Sequence, residues 1–162
     1  MVPSLYQFCP MSVADLPLVR NWLATPHVAQ WWGDAGEQFK LVSDDLEHPE
    51  MDQFIVLKGE RPFGYLQCYD PAAWDHPFGL LPSGTRGIDQ FIGEPDMVDR
   101  GHGSAFIRAF IDGLMATGMP RVLTDPDPAN TRAISAYEKA GFRADRIVDT
   151  PDGRALLMVR GA

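Results

Sequence analysis

The segment from Gly87 to Met115 constrains the fold of this chain more than any other stretch. It predicts a short strand over residues 87–92, a polar turn that contains Gly101-His102-Gly103, and then an amphipathic helix. The apolar stripe of this helix follows the helical period: Phe106, Ile107, Phe110, Ile111, Leu114 and Met115. A strand that enters a helix through two glycines forms an anion site, because the helix N-terminus presents backbone N–H groups and glycine lets a phosphate come close. Ordinary turns also contain paired glycines, so the motif alone leaves a structural turn as the alternative.

The surroundings of this turn exclude two familiar nucleotide-binding motifs. A Walker-type loop needs Lys followed by Ser or Thr after its last glycine, and no such pair follows Gly103. The glycine spacing does not fit the dinucleotide fingerprint, and the strand lies in the middle of the chain instead of at its start. The turn therefore remains either an anion site of another kind or an ordinary structural turn.

The charge balance limits the partners that the chain can bind. Its 162 residues carry 14 Lys and Arg against 22 Asp and Glu, which gives a formal net charge of −8 at pH 7. Such a surface repels nucleic acid and anionic membranes and attracts cations. The simpler alternative is that net acidity only aids solubility. We expect neither nucleic acid nor a membrane among the partners.

The length fits one globular domain over residues 1–162. The first residues, Met1–Ser4, lack the basic and apolar regions of a signal peptide, and no apolar run is long enough to span a membrane. Cys9 and Cys68 are too few and too far apart for a zinc site or a redox pair. We interpret the four histidines, which show no metal spacing, as surface or packing residues: His27, His48, His76 and His102. These features predict a cytoplasmic protein with reduced thiols and no metal.

Hydrophobic period and turn residues predict a mixed α/β fold. Ser12 or Asp15 caps the first helix, and Pro17 favours Asp15 because proline fits the first helical turn. The acidic stretch from Gly33 to Met51 predicts a surface helix. The predicted strands are residues 5–8, 54–57, 63–69, 87–92, 121–125, 142–149 and 155–160, and further helices lie at 25–33, before Gly118, and at 131–140 with Asn130 as the cap. Their order, approximately β-α-α-β-β-β-α-β-α-β-β, predicts a mixed sheet with helices on both faces.

Three parts of the chain together resemble the GCN5-related N-acetyltransferase (GNAT) family: the strand, the glycine turn with its helix, and the segment from Asn130 to Phe142. That segment, NTRAISAYEKAGF, is similar to the family signature N-x-x-A-x-x-x-Y-x-x-x-G-F. The resemblance covers nearly the whole chain. It implies an acetyl-CoA-dependent N-acetyltransferase with a central, mostly antiparallel sheet. One departure is Val98, where the glycine-turn motif of the family usually begins with Arg or Gln.

Within that family the sequence is similar to the aminoglycoside 6′-N-acetyltransferases. The most discriminating shared piece is Arg86-Gly87-Ile88-Asp89-Gln90. The other shared pieces are residues 26–28, 31–33, 64–69, 124–126 and 150–153. Residues 70–84 are the least similar, because they keep Trp74 and Asp75 but lack the run of acids that these enzymes often carry there. The resemblance implies the 6′-amine of an aminoglycoside as acceptor and a role in antibiotic resistance.

The resemblance also implies a set of residues for acetyl-CoA. The glycine turn would hold the pyrophosphate mainly through backbone amides. The pantetheine arm would lie along residues 87–92, where a backbone N–H polarises the thioester carbonyl. The predicted cofactor-binding residues are Phe91, Ile92, Val98, Arg100, Gly101, His102, Gly103, Ser104, Asn130 and Tyr137.

Two residues are predicted to carry the chemistry. Asp89 lies mid-strand, where a carboxylate is costly to bury without a partner such as a cationic amine. The resemblance gives Asp89 the role of binding the ammonium and assisting its deprotonation. A carboxylate near its reference pKa of about 4 is a weak base unless desolvation raises that pKa or a water relays the proton. The alternative is an internal salt bridge to an arginine.

Tyr137 is the candidate general acid. A phenol with a pKa near 10 can protonate a thiolate whose thiol has a pKa near 8.5. Helical spacing by itself favours a core tyrosine at this position, and it is the family signature that favours catalysis.

The remaining candidates are predicted to bind the acceptor. Alternation along residues 63–69 puts Phe63, Tyr65, Gln67 and Tyr69 on one face, which we expect to line a polar cleft. Asp125 follows a strand where the resembling enzymes have a substrate acid, or else it anchors the Pro-Asp-Pro turn. Residues 70–86 predict a long, substrate-facing loop. The predicted substrate-binding residues are Trp32, Gln67, Tyr69, Trp74, Asp75, Asp89 and Asp125, whose acids and rings suit polycationic sugars.

The sequence thus predicts direct acetyl transfer from acetyl-CoA to a primary amine of a cationic small molecule, by a monomer or homodimer. No acyl-enzyme is expected, since neither cysteine lies in a nucleophile motif. One alternative is an acyltransferase for a siderophore precursor of the N-hydroxylysine type, with the same core and a different loop. Another is a non-catalytic module that senses coenzyme A.

Overall fold

The computed structural model describes residues 5–161, which form two compact units. The first unit consists of the chain up to Cys68 together with Gln90–Arg100. The second consists of Tyr69–Asp89 together with the chain from Gly101 onward. The prediction that no signal peptide is present concerns Met1–Ser4, which lie outside the described residues.

Five α-helices occur among residues 5–161, and apolar stripes bury one side of the longer ones. They are α1 (Leu16–Leu23), α2 (Pro26–Trp32), α3 (Ala35–Asp45), α4 (His102–Ala116) and α5 (Thr131–Lys139). Short 3-10 turns add Val13–Asp15, Pro71–Ala73 and Pro95–Met97. Within this part of the chain, no helix has both the length and the apolar character needed to cross a membrane.

Over the described residues 5–161, seven strands form one sheet in the order β1-β2-β3-β4-β5-β7-β6. Their bounds are β1 (Tyr6–Pro10), β2 (Met51–Lys58), β3 (Arg61–Tyr69), β4 (Thr85–Ile92), β5 (Arg121–Thr124), β6 (Arg143–Thr150) and β7 (Gly153–Gly161). β1 pairs with β2, β5 with β7 and β6 with β7 in antiparallel fashion, whereas β4 and β5 are parallel. A parallel pair needs a crossover between its strands, and α4 lies in that crossover.

The structure confirms the predicted mixed α/β fold and the Asn130 cap, which accepts the N–H of Ala133 at 3.2 Å at the start of α5. Asp15 holds the position before α1, with Pro17 in the first turn, but its carboxylate makes no capping bond to α1 and accepts the N–H of Ser12 at 2.9 Å. The surface helix predicted for the acidic stretch is α3, which adds a third helix between β1 and β2. The start of β4 was predicted two residues too late, because backbone pairing with β5 extends the strand beyond its apolar pattern to Thr85.

Burial overturns one interpretation of β3. Phe63 and Tyr65 have no exposed surface, so they do not line a polar cleft. Gly64 and Leu66 on the opposite face are buried as well, which makes β3 an interior strand where alternation cannot separate a core face from an open face. In the first unit the core joins Tyr65 and Phe91 to α1, α2 and α3. In the second unit Phe78, Leu123 and Leu157 belong to the core.

Candidate active site

Two acids, Asp89 and Asp125, lie where the parallel strands β4 and β5 diverge. The last backbone pair of these strands is Gly87 with Leu123, so a continued register brings Asp89 level with Asp125. The next two residues of this register are joined as well, because the Thr124 hydroxyl donates to the backbone carbonyl of Ile88 on β4 at 3.0 Å. Both acids are half-buried. Parallel pairing therefore brings together two carboxyls that are distant in sequence.

The environment of this acid pair favours the protonated form of Asp125. Burial is the main cause that raises the pKa of Asp125 to about 8, and the negative charge of Asp89 raises it further, while a hydrogen bond from its own backbone lowers it. Near neutral pH, burial and the neighbouring negative charge therefore favour the protonated form of Asp125.

This raised pKa predicts a pH dependence of stability. Because the native pKa of Asp125 lies above the value of 3.8 expected without the fold, the native state binds more protons than the unfolded state between about pH 4 and 8. The free energy of unfolding should therefore fall as pH rises through that window, by at most about 1.4 kcal/mol per pH unit from this group. Denaturant titrations from pH 5 to 8 measure the slope.

Asp125→Asn should flatten that slope, since the amide has the same shape and no proton to lose. Asp152→Asn, in the exposed turn between β6 and β7, is the matched control and should keep the slope of the wild type. Equal slopes for Asp125→Asn and the wild type would show that the proton is not held by this pair.

An aromatic pair, Tyr69 at the end of β3 and Trp74 in the loop that follows, lies against the strand that carries Asp89. The ring of Tyr69 covers Gly87, where an added Cβ would overlap the hydroxyl end of that ring. Trp74 meets Tyr69 edge to face, with 5.6 Å between ring centroids. Side chains two residues apart on a strand share a face, so Tyr69 lies over the face of β4 from which Asp89 projects. A ring beside a carboxylate is a combination that binds ammonium groups.

The loop that carries Trp74 is anchored within the second unit. Asp70 accepts the N–H of Ala72 at 3.0 Å, which forms the short 3-10 turn before Trp74. Further along, Phe78 is buried, and its backbone carbonyl accepts from the guanidinium of Arg146 at 2.6 Å. Asp75, between these two anchors, is exposed.

Tyr137 lies in α5 with only 4% of its surface exposed. Its ring meets Phe142 edge to face at 5.4 Å. Arg108 of α4 holds the end of α5 by donating to the carbonyl of Lys139 at 2.6 Å. The ring of Tyr137 thus has the core environment that helical spacing indicated, and a catalytic role depends on its hydroxyl alone.

The glycine turn before α4 has the backbone of an anion site. Gly101 is left-handed, with φ 81° and ψ 1°, a conformation that favours glycine, and it caps the helix. The N–H of Ala105 donates to the carbonyl of Gly101 at 3.3 Å, so the amides of residues 102–104 precede this first helical bond. Asp99 is also left-handed, with φ 62°, and Arg100 donates from Nε to the carbonyl of Asp96 at 2.7 Å. The backbone therefore turns sharply at residues 99–101, directly before the N-terminus of α4, where an anion can meet free ends of the helix.

In the first unit, aromatic and histidine contacts fix the end of β4. The ring of Phe91 is 6% exposed and packs against Trp32 at 5.1 Å and Tyr65 at 5.3 Å. His27 Nε2 lies 2.8 Å from the backbone carbonyl of Ile92. This contact gives His27 a structural role that the sequence did not reveal, because a histidine bonded to a distant backbone carbonyl leaves no spacing pattern.

The predicted site residues divide between the two units. The first unit contains Trp32, Gln67, Phe91, Ile92, Val98 and Arg100. The second contains Tyr69, Trp74, Asp75, Asp89, Gly101, His102, Gly103, Ser104, Asp125, Asn130 and Tyr137. The Pro-Asp-Pro turn is stabilised by Asp127, which accepts the N–H of Ala129 at 2.8 Å. Over residues 5–161, no cluster of three His, Cys, Asp or Glu residues is arranged to hold a metal ion.

Comparison with known proteins gives concordant matches. Residues 12–150 match the model of an acetyltransferase (GNAT) domain. The chain is 32% identical over 163 residues to an aminoglycoside N(6′)-acetyltransferase type 1 of Klebsiella pneumoniae, and the alignment covers 93% of this chain and 80% of that relative. A crystal structure of the aminoglycoside acetyltransferase AAC(6′)-Ib with coenzyme A and kanamycin has a TM-score of 0.86 and 30% identity, covering 96% of this chain and 94% of that one. An N5-hydroxyornithine acetylase of Beauveria bassiana is 26% identical over 148 residues, which are 86% of this chain and 26% of that relative.

Proposed function

Because the chain belongs to the acetyltransferase (GNAT) family, we propose that it transfers the acetyl group of acetyl-CoA to the 6′-amine of an aminoglycoside. The observation that carries this proposal is the acid pair: Asp89 and Asp125 at the divergence of β4 and β5, in a chain similar over most of its length to aminoglycoside N(6′)-acetyltransferases. A half-buried acid pair with an aromatic ring above it suits a cationic amine and not a neutral acceptor.

The coenzyme is proposed to bind at the glycine turn and along β4. The amides of residues 102–104 face the pyrophosphate, and the positive end of the α4 dipole stabilises its charge. Gly101 is left-handed, and no neighbouring atom lies within 4 Å of a Cβ added there, so a diphosphate can approach the backbone. Phe91 would contribute through its backbone, since its ring is part of the core. The other proposed contacts are Ile92, Val98, Arg100 and Asn130.

Asp89 and Asp125 are proposed to bind the ammonium and receive its proton. The ammonium of the arriving acceptor stabilises a second negative charge on the acid pair. The pair therefore releases its own proton to solvent when the acceptor binds. Asp89 then accepts a proton from the ammonium and leaves a neutral amine. Because the pKa of Asp125 is already raised to about 8, returning one proton to the pair costs little near neutral pH. Trp32, Gln67, Tyr69, Trp74 and Asp75 are proposed to contact the rest of the acceptor.

The transfer itself is proposed to be direct. The amine nitrogen attacks the thioester carbonyl carbon, a backbone N–H of β4 stabilises the oxyanion, and the C–S bond then breaks. The nitrogen loses its second proton to solvent, and the departing thiolate takes a proton from the hydroxyl of Tyr137, which solvent restores. The products are the N-acetylated amine, free coenzyme A and one proton released overall.

A second candidate function is supported by the similarity to the N5-hydroxyornithine acetylase. In that case the acceptor is a small hydroxylated amino acid, and the loop with Trp74 and Asp75 contacts a smaller molecule. A third candidate is a sensor that binds coenzyme A without turnover. We also propose that residues 1–162 act as one catalytic domain, monomeric or homodimeric, in the cytoplasm; the family match extends over residues of both units.

A substrate panel tests the proposed function. Purified protein with acetyl-CoA is offered kanamycin, N-hydroxylysine and N5-hydroxyornithine, and the released thiol and the acetylated product are measured. We expect turnover of kanamycin, with acetylation at the 6′-nitrogen by mass spectrometry and NMR. Turnover of the hydroxylated amino acids alone would favour the second candidate, and calorimetric binding of coenzyme A with no turnover would favour the sensor.

A further inference from the structure

The end of β5 is fixed to β7 on both sides of Asp125. Thr124 pairs with Met158 in the antiparallel ladder of β5 and β7. Two residues further along, the carbonyl of Pro126 accepts the N–H of Leu156 on β7 at 2.8 Å. Asp125 therefore lies between two points at which the chain is bound to β7, and β7 sets the position of its backbone.

The end of β4 is bound to this anchored strand through a side chain. The last backbone pair of the two strands is Gly87 with Leu123. One residue further along, the hydroxyl of Thr124 donates to the carbonyl of Ile88 at 3.0 Å. The peptide group of this carbonyl is the one that joins Ile88 to Asp89. A side-chain hydrogen bond thus takes over where the backbone ladder ends, directly before the two acids.

This hydrogen bond is shielded from water. Thr124 is 1% exposed and Ile88 has no exposed surface, so solvent cannot replace the donor if the hydroxyl is lost. Threonine is branched at Cβ, which restricts its rotation and keeps the hydroxyl directed at β4. Without the hydroxyl, the buried carbonyl of Ile88 loses this donor, and the strand ends must move apart to admit water in its place.

The separation of the strand ends controls how strongly the two acids interact. Among the described residues, Asp89 is the charged side chain that raises the pKa of Asp125, and burial raises it in the same direction. The neighbouring positions of β7, Leu156 and Met158, carry no charge. Both causes weaken when the strands move apart, because the interaction between charges falls with distance and water enters between them.

We propose that Thr124 is a positioning residue, whose hydroxyl holds the end of β4 against β5 and so keeps the carboxyls of Asp89 and Asp125 at the separation that binds and deprotonates the ammonium. The inference rests on the proposed function and adds to it the group that builds the acid pair. In this role Thr124 touches neither substrate nor cofactor and acts through the two acids. A threonine of structural value only would affect stability when replaced, but not the titration of the acids.

The test replaces Thr124 by valine, which keeps the shape of the side chain and removes its hydroxyl. The titration of Asp125 is followed by NMR of labelled aspartate carboxyl carbons, and its signal is identified by its loss in Asp125→Asn. In Thr124→Val the midpoint of Asp125 should fall by about 0.5–1 pH unit. The value of kcat/KM for kanamycin should fall by about 3- to 30-fold, because the acids are displaced. Thr124→Ser retains a hydroxyl and should stay within about threefold of the wild type.

Thr85→Val is the matched control. Thr85 is 4% exposed, lies at the opposite end of the pairing between β4 and β5, and donates its hydroxyl to the carbonyl of Pro82 at 2.6 Å. Each valine variant loses one buried hydrogen bond and should lower Tm by roughly 2–8 °C. Thr85→Val should nevertheless keep the wild-type midpoint of Asp125 and the wild-type kinetics, since the acids lie at the other end of the strands.

A second variant covers the case in which Thr124→Val does not fold. Thr124→Ala removes the hydroxyl without placing a methyl group against the carbonyl of Ile88, and it should show the same fall in the midpoint. A wild-type midpoint of Asp125 in either folded variant would overturn the inference, as would an equal shift in Thr85→Val. The titration needs no turnover. If the wild type acetylates no aminoglycoside, the proposed function fails, and the titration alone decides whether Thr124 positions the acid pair.

Discussion

Asp89→Asn is expected to lower kcat by about 10²–10⁴-fold while the affinity for coenzyme A stays within about twofold, because removing one general base costs this much without touching the cofactor site. The amide has the shape of the carboxylate but cannot take the ammonium proton or balance its charge. The substitution would also remove the negative charge that helps to raise the pKa of Asp125, so the remaining acid should titrate at lower pH.

Steady-state kinetics with kanamycin and calorimetry with coenzyme A measure the two quantities. Asp52→Asn, an exposed acid on β2, is the matched control and should retain wild-type kinetics. The pH dependence of stability provides a second readout, since Asp89→Asn should move the fall in the free energy of unfolding to lower pH, while burial still raises the pKa of Asp125. Undiminished turnover by Asp89→Asn would refute the role of Asp89, whatever the substrate.

Gly93→Ala is expected to destabilise the native state by about 3 kcal/mol and to lower Tm by roughly 6–12 °C, because the added methyl overpacks a rigid part of the core. The new Cβ would overlap the Cγ of Trp22 and its ring neighbours. Those atoms are the attached end of the indole, so no rotation of the side chain clears them. Trp22 is 2% exposed, and its Nε1 donates to Glu94 Oε2 at 2.8 Å. The backbone at Gly93 is equally fixed, since its N–H donates to the carbonyl of Phe63 at 2.8 Å.

Gly113→Ala is the matched control for this substitution. Gly113 lies in α4 with no atom within 4 Å of an added Cβ, and alanine favours the helix, so we expect unchanged or slightly raised stability. Thermal and denaturant unfolding of both variants give the comparison. A Gly93→Ala protein as stable as the wild type would mean that Trp22 moves freely, contrary to its hydrogen bond and burial.

Local features of the fold were predictable because they depend on residues close together in sequence. Asn130 at the start of α5 follows from capping chemistry. Pro17 in the first turn of α1 follows from the fixed φ of proline. Hydrophobic period and turn residues likewise indicated the element order that the structure confirms, and the acidic stretch indicated the surface helix α3. The family signature around Tyr137 indicated the type of chemistry, although its burial leaves core packing and catalysis compatible.

Other features could not be predicted because they depend on contacts between distant segments. The turn before α5 offered two roles for Asp125, and only the parallel register of β4 and β5 brings it level with Asp89. Alternation on β3 suggested a polar face, but burial on both sides makes Tyr65 an interior group. The contact between His27 and the backbone carbonyl of Ile92 also joins distant segments, and no pattern in the sequence indicates it.

The sequence by itself determined the class of fold, the glycine turn that suits an anionic cofactor and the identity of the acid on β4, because these depend on local backbone preference and hydrophobic period. The tertiary structure alone decided the state of those groups. Burial and a neighbouring charge raise the pKa of Asp125, and the buried hydroxyl of Tyr65 accepts from the amide of Gln53 and donates to Oε1 of Gln67. Proton affinity and hydrogen-bond direction depend on the surrounding atoms, and those are set only when the strands have paired and the core has packed.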